Sequence, residues 1–241
     1  MIIKPYASGS KGNCYYISDG ASSILIDAGI PIDQIRRETG FHLSDVAGAL
    51  ISHEHGDHAK TVPALIRYGV DVYALPNVFS VWNADGYHCH EIQNGIVDNK
   101  TLLRWVRGIG TFDVLPFDVP HDVPNLGFYI RSTYTGETLM YFTDCFYVKY
   151  RFPTPTYLMA ECNYDVGIVD EKIALGLEYE AFKHRLVKTH MSIDRLLGML
   201  PQYDYTKIKQ IYLMHLSDSN SDADEFKRKV QQLTGCEVYI C

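Results

Sequence analysis

Ser52-His53-Glu54-His55-Gly56-Asp57-His58 is the stretch on which the reading of this chain turns. Three histidines and one aspartate fall within six residues, directly after the apolar run Ala47–Ile51, which reads as a buried strand. Imidazole and carboxylate donors this dense, on a loop at a strand end, suit Zn²⁺ and also Mn²⁺ or Fe²⁺. His53 and His55 stand two apart and can share a face, so they can grip one ion. Asp57 and His58 are adjacent at a turn and can point toward a second. A catalytic zinc takes about three protein ligands and keeps one position open for water. Two such sites need more donors than this loop carries.

Working outward, further donors stand at comparable places. His121-Asp122 follows Phe117-Asp118-Val119-Pro120, Asp144 follows Leu139–Thr143, and His215 follows Ile211–Met214. His190 lies just before Ser192, a plausible helix cap. A lone histidine at a strand end is ordinarily a surface or core residue; beside the 53–58 cluster these become candidate ligands. His88-Cys89-His90 has no partner cluster and reads as a surface loop, His42 and His184 as ordinary histidines, and Tyr147–Tyr150 as packing or a pocket wall.

The flanking chain is that of a folded protein. At 241 residues it is long enough to bury about 70% of its unfolded surface, so it needs no metal merely to fold. We expect one domain spanning 1–241. The net charge of −7 argues against bulk electrostatic gripping of nucleic acid, though bound cations can supply positive charge locally. A compact basic patch from Lys4, Lys11, Lys149 and Arg151 stays open. Six cysteines without a CxxC pair read as free thiols of a reducing cytosol. No export signal and no apolar run of about 20 residues is visible, which places the expected protein in the cytoplasm and off the membrane. Oligomeric state is not readable.

Short β-prone segments dominate the first half, with a hairpin at Asp19-Gly20. Leu102–Val106, Phe112–Val119, Leu126–Arg131 and Thr138–Phe142 follow as strands. The spacing predicts helices over Ile173–Val187, Ser192–Leu200 and Asp222–Leu233, the last with Phe226, Val230 and Leu233 on one face. Two packed sheets with helices outside are expected.

The chain resembles the metallo-β-lactamase superfamily. His53-Glu54-His55-Gly56-Asp57-His58 is similar to its HxHxDH signature, and His121, Asp144 and His215 follow in the family's order. Ser8-Gly9-Ser10-Lys11-Gly12-Asn13 and Ile26-Asp27-Ala28-Gly29 also look like that family. The resemblance implies an α/β (α+β) four-layer αβ/βα sandwich and two divalent ions, Zn²⁺ first, with Mn²⁺ or Fe²⁺ as alternatives. It implies that His53, His55 and His121 hold one ion, that Asp57, His58 and His215 hold the other, and that Asp144 bridges them. Asp27 would brace the signature loop from behind. The SGSxGN loop, Glu161-Cys162-Asn163-Tyr164, Thr189-His190-Met191-Ser192 and His215-Leu216-Ser217 look most like a bacterial exonuclease-like branch related to ribonuclease Z and the cyclic phosphodiesterases. That branch usually shows Gly-His-Leu-Ser where this chain has Thr189-His190-Met191-Ser192.

The implied activity is phosphodiester hydrolysis on single-stranded nucleic-acid ends or a small molecule. A hydroxide bridging the two ions would be the nucleophile, with Asp57 and His190 as the catalytic residues and His190 as general acid. Ser8, Ser10 and Asn13 would bind nonbridging phosphate oxygens. A thioester, lactone or amide hydrolase on the same metals is the first alternative. A non-catalytic metal-binding module is the second.

Overall fold

The computed structural model describes residues 1–97 and 102–241. Contacts divide the chain into two compact units, Met1–Asp118 with Val123–Thr138, and Val119–Asp122 with Leu139–Cys241. The architecture is mixed α/β, with two main sheets and helices.

In the first unit, β1 (Ile2–Ala7), β2 (Cys14–Ser18), β3 (Ser23–Ile26), α1 (Ile32–Glu38), β4 (Val46–Leu50), α2 (Gly56–Ala59), α3 (Val62–Arg67), β5 (Val72–Ala74), α4 (Pro76–Val81) and β6 (Cys89–Glu91) follow in order. Its six-stranded sheet runs β1-β2-β3-β4-β5-β6. The β1–β2 and β2–β3 pairs are antiparallel, and the remaining three pairs are parallel. The Asp19-Gly20 hairpin forms as expected, with Asp19 Oδ1 accepting from the N–H groups of Ala21 and Ser22, both at 3.0 Å. Every residue of β3 is buried, as are four of the five of β4, which is the signature of parallel strands covered on both faces. Their core holds Leu25, Ala49 and Ile51 with Val62 and Leu65 of α3 and Val78 and Phe79 of α4. The short ladder β7 (Ile96–Val97) and β8 (Leu102–Leu103) precedes β9 (Val106–Ile109), β10 (Phe112–Val119) and β11 (Asn125–Ser132). Leu102–Val106, expected as one strand, is thus divided between β8 and β9.

The second unit carries the stretch β15-β14-β13-β12, parallel throughout: β12 (Thr138–Phe142), β13 (Tyr157–Glu161), β14 (Gln210–Met214) and β15 (Glu237–Ile240). Its helices are α5 (Val166–Ala174), α6 (Glu180–Thr189), α7 (Ile193–Met199) and α8 (Ala223–Thr234). The helix expected over Ile173–Val187 is instead two. α5 stops at Leu175, where Gly176 enters the left-handed region with φ +71°, a conformation glycine adopts without penalty. α8 begins where expected, with the Asp222 carboxylate accepting from Glu225 N–H at 3.0 Å. Phe226, Val230 and Thr234 form its buried stripe, and Leu233, at the stripe's edge, is 39% exposed. None of the six cysteines is in a disulfide. Among the described residues no helix is long and apolar enough to cross a membrane.

Candidate metal centre

Three of the donor groups singled out in the sequence stand just beyond the carboxyl ends of strands in parallel pairs, where open α/β sheets place their ligand sites. β4 runs into Ser52–His58, β12 into Asp144, and β14 into His215.

In the first unit, Asp27 organises the 52–58 loop. It is fully buried and follows β3 with φ +59°. One carboxylate oxygen accepts from Ser52 N–H and from the Ser52 hydroxyl, both at 2.8 Å. The other faces His58 Nδ1 at 2.8 Å. The Asn13 amide lies 3.0 Å from His58 Nε2. An amide N–H facing Nε2 and a carboxylate facing Nδ1 together put the ring proton on Nδ1 and the lone pair on Nε2. The His53 and His58 rings lie 4.2 Å apart between centroids. His53 Nε2 is 3.1 Å from His55 Nδ1, and His58 Nε2 is 3.5 Å from an Asp57 carboxylate oxygen. Four donor side chains therefore sit close together, with His53 and His58 buried and His55 and Asp57 half-buried. Glu54 is turned elsewhere, its carboxylate bonded to Asn77 and its carbonyl to the Trp82 indole N–H.

The loop is locked from beneath. Asn13 N–H donates to Asp57 O at 2.7 Å, Ala28 N–H to His58 O at 2.7 Å, and Gly29 N–H to Asn13 O at 2.9 Å. A Cβ on Gly29 would fall 1.6 Å from Asp57 O, so only glycine permits this approach. Asn13 was expected among the residues that face a substrate, and the geometry corrects this. It is fully buried; its oxygen accepts from Gly9 N–H and the Tyr15 hydroxyl, and its amide group donates to Gly9 O and Asp57 O. It fastens one loop to another. Ser8 is half-buried and Ser10 exposed.

In the second unit, Asp144, Glu161, His190 and His215 each bring one donor atom to within 4.8 Å of the others. Glu161 is the residue the sequence reading did not single out as a donor. It ends β13, whose five residues are all buried. Its Oε2 accepts from Cys145 N–H at 2.8 Å and Met191 N–H at 3.2 Å, and its Oε1 meets His190 Nδ1 at 2.6 Å. Burial alone would raise this carboxyl's pKa, but the charge of His190 and hydrogen bonds from His190 and His215 hold it below its ordinary value. His190 shows the reciprocal effect. Burial disfavours its cation, yet Glu161 and Asp144 outweigh that and push its pKa up to about 10. Its Nδ1 is 3.2 Å from Asp144, and its ring stacks on His215 at 5.4 Å. Asn163 steadies His215 by donating to its carbonyl at 2.7 Å. His121 lies 6.0 Å from the His190 ring, and burial lowers its pKa against the pull of Asp144 and Asp122. Asp144 and His215 both hold positive φ, +47° and +55°, and outliers of this kind gather at functional sites. A carboxyl in the last place of an apolar strand was the available signal for Glu161. His88 and His90 both pair with Asp71, at 2.8 and 3.0 Å.

These donors are all imidazole and carboxylate, with no thiolate, and that set fits Zn²⁺, Mn²⁺ or Fe²⁺. The metallo-beta-lactamase superfamily model matches residues 7–156. The chain belongs to the metallo-beta-lactamase superfamily. It is a metal-dependent hydrolase. Among curated superfamily relatives, exodeoxyribonuclease YycJ of Bacillus anthracis is 29% identical over 239 residues, covering 94% of this chain and 86% of that protein. Exodeoxyribonuclease WalJ of Streptococcus pneumoniae serotype 2 is 30% identical over 230 residues, covering 89% and 81%. The fold also matches that of the metallo-beta-lactamase fold protein YhfI from Bacillus subtilis, with a TM-score of 0.73 at 15% identity over 99% of this chain and 95% of that one.

Proposed function

We propose that this protein hydrolyses phosphodiester bonds in nucleic acid, working from single-stranded ends, with two divalent ions. His53, His55, Asp57 and His58 of the first unit and His121, Asp144 and His215 of the second are the residues that would hold them. Bound ions of this kind supply an activated water and clamp the phosphoryl oxygens. The rest of the chemistry falls to the chain. Expelling an alkoxide from phosphorus needs a proton, and His190 is the residue placed to give it. Its Nδ1 is fixed on Glu161, so Nε2 is the nitrogen from which the proton leaves. The neighbouring Glu161 and Asp144 carboxylates favour its charged form. Positioned acids contribute roughly 10²–10⁴-fold. Ser8 and Ser10 are the loop hydroxyls assigned to the phosphate oxygens.

The observation that carries this reading is the Glu161–His190 pair beside Asp144 and His215. His190 Nδ1 lies 2.6 Å from Glu161 Oε1, which leaves Nε2 for a leaving oxygen, and a good leaving group has little use for such an acid. The exodeoxyribonuclease names of two relatives agree with it. The test is turnover of bis-p-nitrophenyl phosphate by protein loaded with Zn²⁺ or Mn²⁺, comparing wild type with Asp144→Ala and His190→Ala. Wild-type turnover, lost in both variants while His190→Ala keeps its metal, is the expected result. Metal loss from His190→Ala would make that residue a ligand and end its role as acid.

A further inference from the structure

Between β12 and β13 the 14 residues 143–156 form neither helix nor strand. Connections this long in compact domains are usually binding loops or lids. This one opens at Thr143-Asp144 and then builds a cavity of about 460 Å³, a size that suits a nucleotide. Met191, next to His190, contributes to its wall.

The lining chemistry is specific. Phe146, Tyr147 and Tyr150 provide aromatic faces, and Lys149, Arg151 and Arg195 provide three cations. Among the described residues no carboxylate lines the cavity, although the chain carries seven more acidic than basic residues. Tyr147 is 44% exposed and packs on Phe146 with ring centroids 4.8 Å apart. The Lys149 ammonium lies 4.9 Å from the Tyr150 ring centroid. Arg195 is fixed as a support: its guanidinium lies over Phe146 at 5.3 Å and donates to the carbonyls of Phe146 and Val187. Arg151 is exposed.

Alternating aromatic faces and cations bind single strands. Each base offers a π-face regardless of sequence, and each phosphate a charge. A base inside a duplex is already stacked and presents no such face. We infer that this cavity is a binding subsite for the unpaired end of a nucleic-acid strand, with a terminal base on Tyr147 or Tyr150 and the adjacent phosphates on Lys149 and Arg151. The inference rests on the phosphodiesterase reading above and assigns the residues that receive its single-stranded end.

The test is fluorescence anisotropy with metal-loaded protein and a short fluorescein-labelled oligothymidylate whose phosphorothioate linkages resist hydrolysis. Wild type, Tyr147→Ala and Arg151→Ala are compared, with the same strand annealed to its complement as a second probe. Tyr147→Ala should weaken single-strand binding by roughly 5- to 150-fold. Arg151→Ala should flatten the dependence of log K on log salt by about 0.7. The duplex should bind more weakly than the single strand. Unchanged binding in both variants, or a duplex held as tightly as the single strand, overturns the subsite. Hydrolysis of bis-p-nitrophenyl phosphate by the same wild-type preparation separates the two ideas. Turnover with unchanged variant binding removes the subsite and leaves the phosphodiesterase standing. Absence of turnover on both this diester and an unmodified strand removes the phosphodiesterase reading, and the subsite falls with it.

Discussion

Replacing Asp27 by Asn tests whether the carboxylate behind the 52–58 loop sets the strength of the proposed metal site. The carboxylate accepts from Ser52 N–H and the Ser52 hydroxyl, and its other oxygen faces His58 Nδ1. Asparagine keeps the size and tolerates the left-handed backbone at this position. It also brings an NH₂ group among the Ser52 and His58 donors. Ser52 N–H is fixed by the backbone, so the amide oxygen must stay there and the NH₂ must face His58. If His58 keeps its proton on Nδ1, two donors meet at that point. If the proton moves to Nε2, it meets the Asn13 amide 3.0 Å away. Either way one buried donor goes unpaired, at a cost of about 1–3 kcal/mol. Loss of the carboxylate behind a ligating imidazole typically weakens metal binding by about 10–100-fold. Urea unfolding in the presence of EDTA reads the first quantity. Competition with a chelating dye reads the second. A variant that loses stability yet binds metal as wild type does would refute the argument, because Asp27 would then support only the loop.

Three further outcomes are expected. Gly29→Ala places a methyl group against Asp57 O and should cost about 3 kcal/mol or more in urea unfolding. Glu161→Gln keeps its oxygen on the fixed N–H groups of Cys145 and Met191 and turns an NH₂ toward His190. Diester turnover should fall by about 10–10²-fold with metal content retained, as measured by steady-state kinetics beside metal analysis. Ser192→Ala removes the α7 cap, where the hydroxyl accepts from Arg195 N–H, at about 1 kcal/mol. That corresponds to a Tm lower by roughly 2–4 °C in calorimetry.

What could be read in advance depended on how locally each feature is encoded. His53 to His58 stand within six consecutive residues, and their donor density is visible without any tertiary knowledge. Asp144 and His215 could be found because each interrupts an apolar run at its end. Glu161 also ends an apolar run, but its partner His190 is 29 residues away, and nothing local shows that an imidazole comes back to meet it. Asn13 misled for the opposite reason. A polar residue in a glycine-rich loop looks solvent-facing, whereas here its contacts with Asp57 and His58 come from 44 and 45 residues further on. The single helix expected through Gly176 failed because apolar periodicity continues across a residue whose backbone turns left-handed.

Asp27, Asp144 and His215 each leave a strand with the backbone turned to positive φ. At such positions β-branched and bulky residues are excluded, while Asn and Gly fit readily. The backbone therefore restricts which inactive versions of this protein still fold. Asp144→Asn retains the turn while removing the negative charge. If Asp144 holds the ions as proposed, this one substitution gives a catalytically silent copy with an intact scaffold, a bait that holds on to whatever the living enzyme consumes.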